Sequence, residues 1–456
     1  MKYGRLLTLE RCTPIGKVSN MRRQRTTQVS KCVALANQTK SLAWHSPRAI
    51  RALFICIVFG LSANNAWSAL QARTTPHATP EDASLTGSTT IPIEVDGGMV
   101  IVPARINEQP YDFILDNGAM DIVTPAVAEQ LGIHTQGKAG LTGVGGARLS
   151  AQFASIREVS IGDAKLRSQS FLVLPLPYEV VGRGKKAPLA GFIGSEWFEH
   201  FAVRVDYDRK LLVLTKLADY KHEGVGVPIP LDFVAGHALM DVRINDLPGK
   251  AELDIGNNGF TVVLAHWAHR NGIAARLKAG IQTGARGVAG KVPEWASRID
   301  SLEIGGSVLR QPIVVYSDSK TDGFAPPGMS SELAANLGTD ALSNFVIETD
   351  YRHKVVWFDR QTSHRNRPYN RTGLDIERSG PDEFTIVDVQ PHSPAEQVGL
   401  RPGERIVAID GVPAIDWGHE RLRERMIDAP GTELTVTVDD GGGKRDVRLA
   451  LAELLP

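Results

Sequence analysis

The chain has 456 residues, 42% hydrophobic and 22% charged, the composition of an ordinary globular protein with length for about three domains. Its formal charge of zero hides an asymmetry: residues 1–51 hold 11 Lys and Arg against the single acid Glu10, leaving 40 basic against 50 acidic residues from residue 52 onward. So acidic a body lacks the basic face that nucleic acid or an anionic membrane requires, and neither is expected as a partner.

Residues 1–69 read as a basic leader ending in a signal peptide. An uncharged apolar run, ALFICIVFGLSA from Ala52 to Ala63, follows Arg48 and Arg51, and the small residues of AWSA at Ala66–Ala69 suit cleavage. The run is short for a transmembrane helix, so membrane attachment arises only if the leader stays uncleaved. Cys12, Cys32 and Cys56 all lie in the leader. The mature protein is therefore expected to be free of disulfides and exported, periplasmic or secreted.

Residues 70–88, rich in Thr, Ala, Pro and Ser, read as a linker. From Thr90 the pattern is strand (IPIEV), turn at Asp96-Gly97-Gly98, strand (MVIVPARI), turn, strand (YDFIL) and the turn Asp116-Asn117-Gly118. A short helix is predicted over Ala126–Ile133, followed by a hairpin whose glycines Gly143, Gly145 and Gly146 permit a mobile tip. Closing strands end in FAVRVDYDRKLLVL, giving a first β-rich unit over 89–218.

A second unit over 219–360 repeats this order. RINEQPYDFILDNG, from Arg105 to Gly118, returns as RINDLPGKAELDIG, from Arg243 to Gly256, at an offset of 138. IGSEWFEHFAVRVDY from Ile193 aligns with LGTDALSNFVIETDY from Leu337 at an offset of 144. Asp254-Ile255-Gly256 is then followed by a helix predicted over VVLAHWAHRNGI and a hairpin carrying Gly287 and Gly290. A period this long makes each copy a domain-sized unit and not a solenoid layer. After a linker at 361–371, residues 372–456 contain SPAEQVGLRPGERIVAIDG, from Ser393 to Gly411: a capped helix, a Pro-Gly turn and a strand closed by Asp-Gly.

Strand, Asp-x-Gly and helix, placed twice with a glycine hairpin after each, resembles the retropepsin-like aspartic peptidases. FILDNGAMDIV, AELDIGNNGFTVV and the later FIG and NLG carry the likeness over roughly residues 90–360. The segment from Ser393 resembles bacterial PDZ domains, and together they resemble bacterial aspartyl proteases with a C-terminal PDZ domain. The resemblance implies a mainly β fold of two tandem lobes forming one monomeric pseudo-dimer, with the glycine hairpins as flaps and Asp116 and Asp254 as the catalytic pair. It also implies a peptide or protein substrate. The PDZ domain would hold a C-terminal peptide at Gly373, Leu374, Asp375 and Ile376, or merely dock.

The chemistry needs two carboxyls so close that they cannot both ionise: one takes a proton from water while the other donates to the developing oxyanion. No cofactor or metal is required, and activity is expected at acidic to mildly acidic pH. Gly118 and Gly256 let the turns approach. The family's turns usually carry a Thr or Ser that locks one turn to the other. Here Asn117 can bond and Ile255 cannot, so a rival expectation is a catalytically impaired peptide- or protein-binding protein. A third is that each lobe dimerises with another chain. His266 and His269 share a helix face without a carboxylate-histidine ligand set, and read as helix surface. Asp206 and Asp350, each before Tyr in a closing strand, read as strand-end residues.

Overall fold

The computed structural model describes residues 82–142, 148–287, 290–318, 332–363 and 366–455. The expected signal peptide and Gly143, Gly145 and Gly146 lie outside these residues. No helix among the described residues is long and apolar enough to cross a membrane.

Each repeat folds on the same local logic. Strands Met99–Ile106 and His237–Ile244 share one burial pattern, buried throughout their first half and alternating afterwards. Each turns back through two residues of positive φ, Asn107-Glu108 and Asn245-Asp246, the geometry of a tight hairpin. The returning strands, Gln109–Leu115 and Leu247–Leu253, are exposed at their start and fully buried over their last three residues. Both therefore drive the following aspartate inward. Against each lies a parallel strand, Gly191–Ile193 in the first lobe and Leu333–Leu337 in the second, pairing Ile114 with Phe192 and Glu252 with Asn336. The lobes are built on sheets of nine and ten strands.

A third sheet of six strands joins them. Its centre is Phe201–Asp206 running antiparallel to Phe345–Asp350, so equivalent strands pair across a pseudo-two-fold axis. Arg204 faces Glu348, its own counterpart at the offset of 144. A symmetric dimer would bring like residues together at that position. Here opposite charges meet, with Arg204 Nε 3.5 Å from Glu348 Oε1. Asp206 and Asp350 end these strands as expected, their Oδ1 atoms accepting from Arg209 N and His353 N, both at 3.0 Å.

Composition misled at three places. Residues 82–88 were expected in a linker, yet Ala83 pairs with Leu166, and Ser88–Pro92 forms an outer strand of the joining sheet. Local polarity does not exclude a strand whose ladder is satisfied by neighbours. The described part of the 361–371 linker is likewise packed: Gln361 Nε2 donates to Phe345 O at 3.0 Å, Asn366 Nδ2 donates to Arg310 O at 2.6 Å, and Tyr369 is buried. In the second lobe Thr261–Leu264 is a strand and only Ala265–Arg270 is helical, because the β-branched Thr-Val-Val fits a sheet between two neighbours.

The C-terminal domain, a six-stranded sheet with the helix His419–Met426, packs on both lobes. Asp96 of the first lobe accepts from Glu420 N at 2.6 Å, at the start of that helix. Burial opposes its ionisation, but the bond and charge of His419, with the backbone donors, hold its carboxyl down at about 2. Arg423 reaches Gly97 O of the first lobe at 3.4 Å, Asn258 O of the second at 3.1 Å, and the Asp340 carboxylate. The chain's end returns to the second lobe, where Leu455 joins Ala296, Ile313 and Tyr369 in a small apolar cluster.

Opposite charges at the pseudo-axis give a stability prediction. Arg204→Glu sets two acids against each other and should lower unfolding stability by about 1 kcal/mol. Arg204→Met should cost less, as chemical denaturation of both variants will show.

Candidate active site

The two Asp-x-Gly turns meet at the interface of the lobes. Asp116 and Asp254 are 4% and 2% exposed. Asp116 Oδ1 accepts from Gly118 N at 2.9 Å and Ala119 N at 3.2 Å; Asp254 Oδ1 accepts from Asn257 N at 3.0 Å. The Asp116 carboxyl lies directly over the Cα of Gly256, where a β-carbon would stand 2.4 Å from its Cγ. Only glycine admits that approach, which is why the second turn carries one.

Asn117 supplies the bond between turns. Its Oδ1 accepts from Ile255 N at 2.7 Å and its Nδ2 donates to Leu253 O at 2.6 Å, gripping the backbone on both sides of Asp254. The same Nδ2 donates to Tyr351 Oη at 2.8 Å. One amide thus makes both a donor and an acceptor contact across the interface. Ile255 makes no such bond with its side chain and is instead 1% exposed within the core.

Burial pushes both carboxyls up, Asp116 to about 6 and Asp254 well beyond the ordinary carboxylate range, with the charge of Glu252 adding to each and that of Asp116 adding to Asp254. The pair titrates as a unit, and one proton stays in it over a wide pH range.

Further polar residues at the site were not foreseen. Asn336 Nδ2 donates to Asp254 Oδ2 at 2.7 Å and to Glu252 Oε2 at 3.1 Å. Glu252 Oε1 meets His237 Nδ1 at 2.5 Å. Tyr351 completes the contacts of Asn117. The signal was present in the repeat: the offsets of 138 and 144 align His237, Glu252 and Asn336 with Met99, Ile114 and Phe192, so three polar residues stand where the first copy is apolar.

A model of the aspartyl protease family matches twice, over residues 102–197 and 240–341, and a PDZ-domain model matches residues 385–439. The lobes belong to the aspartyl protease family. Among solved structures, an aspartic proteinase from Irpex lacteus shares 11% identity at a TM-score of 0.40, over 60% of this chain and 98% of that one. A search of curated proteins gives no match.

Around the protease site, Gly287 and Gly290 pair with each other at the described end of the hairpin Ile281–Gly287 and Gly290–Arg298. In the PDZ domain, Gly373 has a φ of +75° and packs on Ser393, and Leu374, Asp375 and Ile376 lie on the sheet's edge strand Leu374–Gly380. The first-lobe helix Tyr178–Val181 lies against that strand, and Glu179, half-buried and near Glu377, is pushed up to about 8. His266 is exposed; His269 contacts Asp318 and Tyr316, away from the dyad. His222, Glu348 and Asp359 come together beside the joining sheet, with His222 Nδ1 3.1 Å from Glu348 Oε2 and Nε2 3.6 Å from Asp359 Oδ2. A cavity of about 1230 Å³ opens beside Phe201, Phe233 and Tyr351, and neither aspartate lines it.

Two substitutions test this arrangement. Asn117→Leu strands the buried Ile255 N–H and Leu253 C=O and should cost about 2–4 kcal/mol of stability, read by denaturant unfolding. Ile255→Thr should not raise any activity, because Asn117 already supplies the bond between turns.

Proposed function

We propose that this protein is an aspartic-type endopeptidase acting outside the cytoplasm, in the periplasm or as a secreted protein, with Asp116 and Asp254 activating water for peptide-bond hydrolysis. The observation that carries the reading is the packing of the Asp116 carboxyl on Gly256, which holds two buried carboxyls at one interface. Such a pair keeps one proton. Its ionised member takes a proton from water as that water attacks the peptide carbonyl, and its protonated member donates to the oxyanion. Gly118 and Gly256 set the approach, and the hairpin ending at Gly287 and Gly290 serves as a flap over the substrate.

The rival reading, a peptide-binding protein without catalysis, was motivated by Asn117 and Ile255. The contacts of Asn117 to Leu253 and Ile255 weigh against it, since one amide replaces the missing hydroxyl bond. The PDZ domain recruits or gates protein substrates: Arg423 bridges both lobes at the edge of the interface. Export rests on the apolar run after Arg51 and on the confinement of cysteine to the leader.

The pH profile follows from the direction of the shifts. Below about 6 Asp116 takes up a proton and the base is lost; above it the pair holds a single proton until Asp254 ionises. Peptide hydrolysis should therefore fall on the acid side with a midpoint near 6. Asp116→Asn and Asp254→Asn should each abolish cleavage, because neither carboxyl can do both jobs. Undiminished turnover in both variants, measured on peptides across this range, rules the pair out.

A further inference from the structure

One internal comparison isolates residues that the fold does not need. In the first lobe Met99, Ile114 and Phe192 pack together in an apolar cluster. At the equivalent positions of the second lobe stand His237, Glu252 and Asn336, of which Glu252 and His237 are 3% and 4% exposed. Both lobes place these residues on the same strands in the same register. A buried ion pair gains little or nothing in stability over well-packed apolar side chains of similar volume. The first lobe is the control: the same backbone closes with three apolar residues.

The polar trio is wired to the dyad and to nothing more distant. Asn336 Oδ1 accepts from Asn257 Nδ2 at 2.7 Å, which turns the Asn336 amino group toward the carboxyls. That group donates to Asp254 Oδ2 at 2.7 Å and Glu252 Oε2 at 3.1 Å, so both oxygens neighbour one nitrogen. From the opposite turn, a β-carbon on Gly118 would stand 3.5 Å from Glu252 Oε1 and 3.6 Å from both Asp116 Oδ1 and His237 Nδ1. Glu252 is thus a third carboxyl within the same buried group, on which the whole charge balance of the site depends.

Accepting the peptidase reading, we propose that Glu252, clamped by His237 and joined to Asp254 through Asn336, is a positioning residue that keeps a proton in the Asp116–Asp254 pair toward neutral pH. A negative charge beside two carboxyls disfavours their second ionisation. His237 keeps Glu252 in place and supplies the counter-charge, and its partner Glu252 and Asp116 favour its protonated form. The groups facing the pair are Glu252, His237, Tyr207 and Tyr351. Both phenols are raised by burial and by the neighbouring acids, and stay neutral throughout this range. Beyond burial and the twin carboxyl, Glu252 is the neighbouring charge that raises both Asp116 and Asp254.

The test uses the full chain in two forms, Glu252→Gln, nearly isosteric, and the double variant His237→Met with Glu252→Ile, which transplants the first lobe's pair. For each, kcat and KM are measured across pH, and the protonated-carboxyl infrared band is titrated without substrate. Both variants should fold, with the double variant's thermal midpoint no lower than the parent's. In Glu252→Gln the alkaline limb and the infrared midpoint should move to lower pH by about 1 unit, with kcat at pH 7 falling several-fold while KM changes little; the double variant, which also loses the opposing charge of His237, should move less. Unmoved midpoints overturn the proposal, and so does failure of both variants to fold, since the pair would then be structural. If the parent chain cleaves nothing but the infrared midpoint still moves, the peptidase reading fails and the role of Glu252 stands.

Discussion

The structure depends on holding two carboxyls out of water against each other. Each buried carboxylate is destabilised by desolvation and again by its twin, so the arrangement persists only where covalent and packing constraints prevent the turns from separating. Three features supply them. The last residues of each returning strand are fully buried, Gly256 removes the side chain that would hold Asp116 away, and Asn117 fastens one turn to the backbone of the other. Loss of any one lets the turns separate, and the proton held there ceases to be shared.

Fusing two copies in one chain let positions that are equivalent diverge. At the pseudo-axis a symmetric pair could only meet its own kind, whereas Arg204 and Glu348 meet as opposites. The lock between turns diverged too, from a pair of like side chains to one amide with two functions, which freed position 255 for an apolar residue in the core. The shell around the dyad diverged in the same manner, apolar on one side and polar on the other.

Much of this was legible before any coordinates. The offsets of 138 and 144 exposed the duplication, the two Asp-x-Gly turns and the mainly β architecture, because hydrophobic patterning and turn residues are local signals. The PDZ segment announced itself through a helix cap, a Pro-Gly turn and a closing Asp-Gly. What was not legible depended on contacts between distant parts. Nothing in the neighbourhood of Asn117 says that its amide will grip both Leu253 and Ile255. His237, Glu252 and Asn336 are far apart in sequence, and each looks ordinary until the copies are aligned residue by residue. The strand Ala83–Ser84 and the start of Ser88–Pro92 were missed because their partners lie more than 70 residues away.

A single C-terminal domain on a pseudo-symmetric body must also treat equivalent positions unequally. Asp340 of the second lobe receives Arg423, with Arg367 close by. Its first-lobe equivalent, Glu196, is half-buried near Asp121, where desolvation and that neighbour push its carboxyl up. The hairpin tips diverge likewise. Gly97 and Gly98 of the first lobe are covered by His419 and Arg423, while Gly236, the equivalent of Gly98, lines the open cavity beside Phe233 and Tyr351. The docked face thus uses charges whose counterparts are neutralised internally on the other side. That difference lets one PDZ domain select one of two related faces, and it places Arg423 where a relative movement of the lobes would break its contacts to Gly97 or to Asn258.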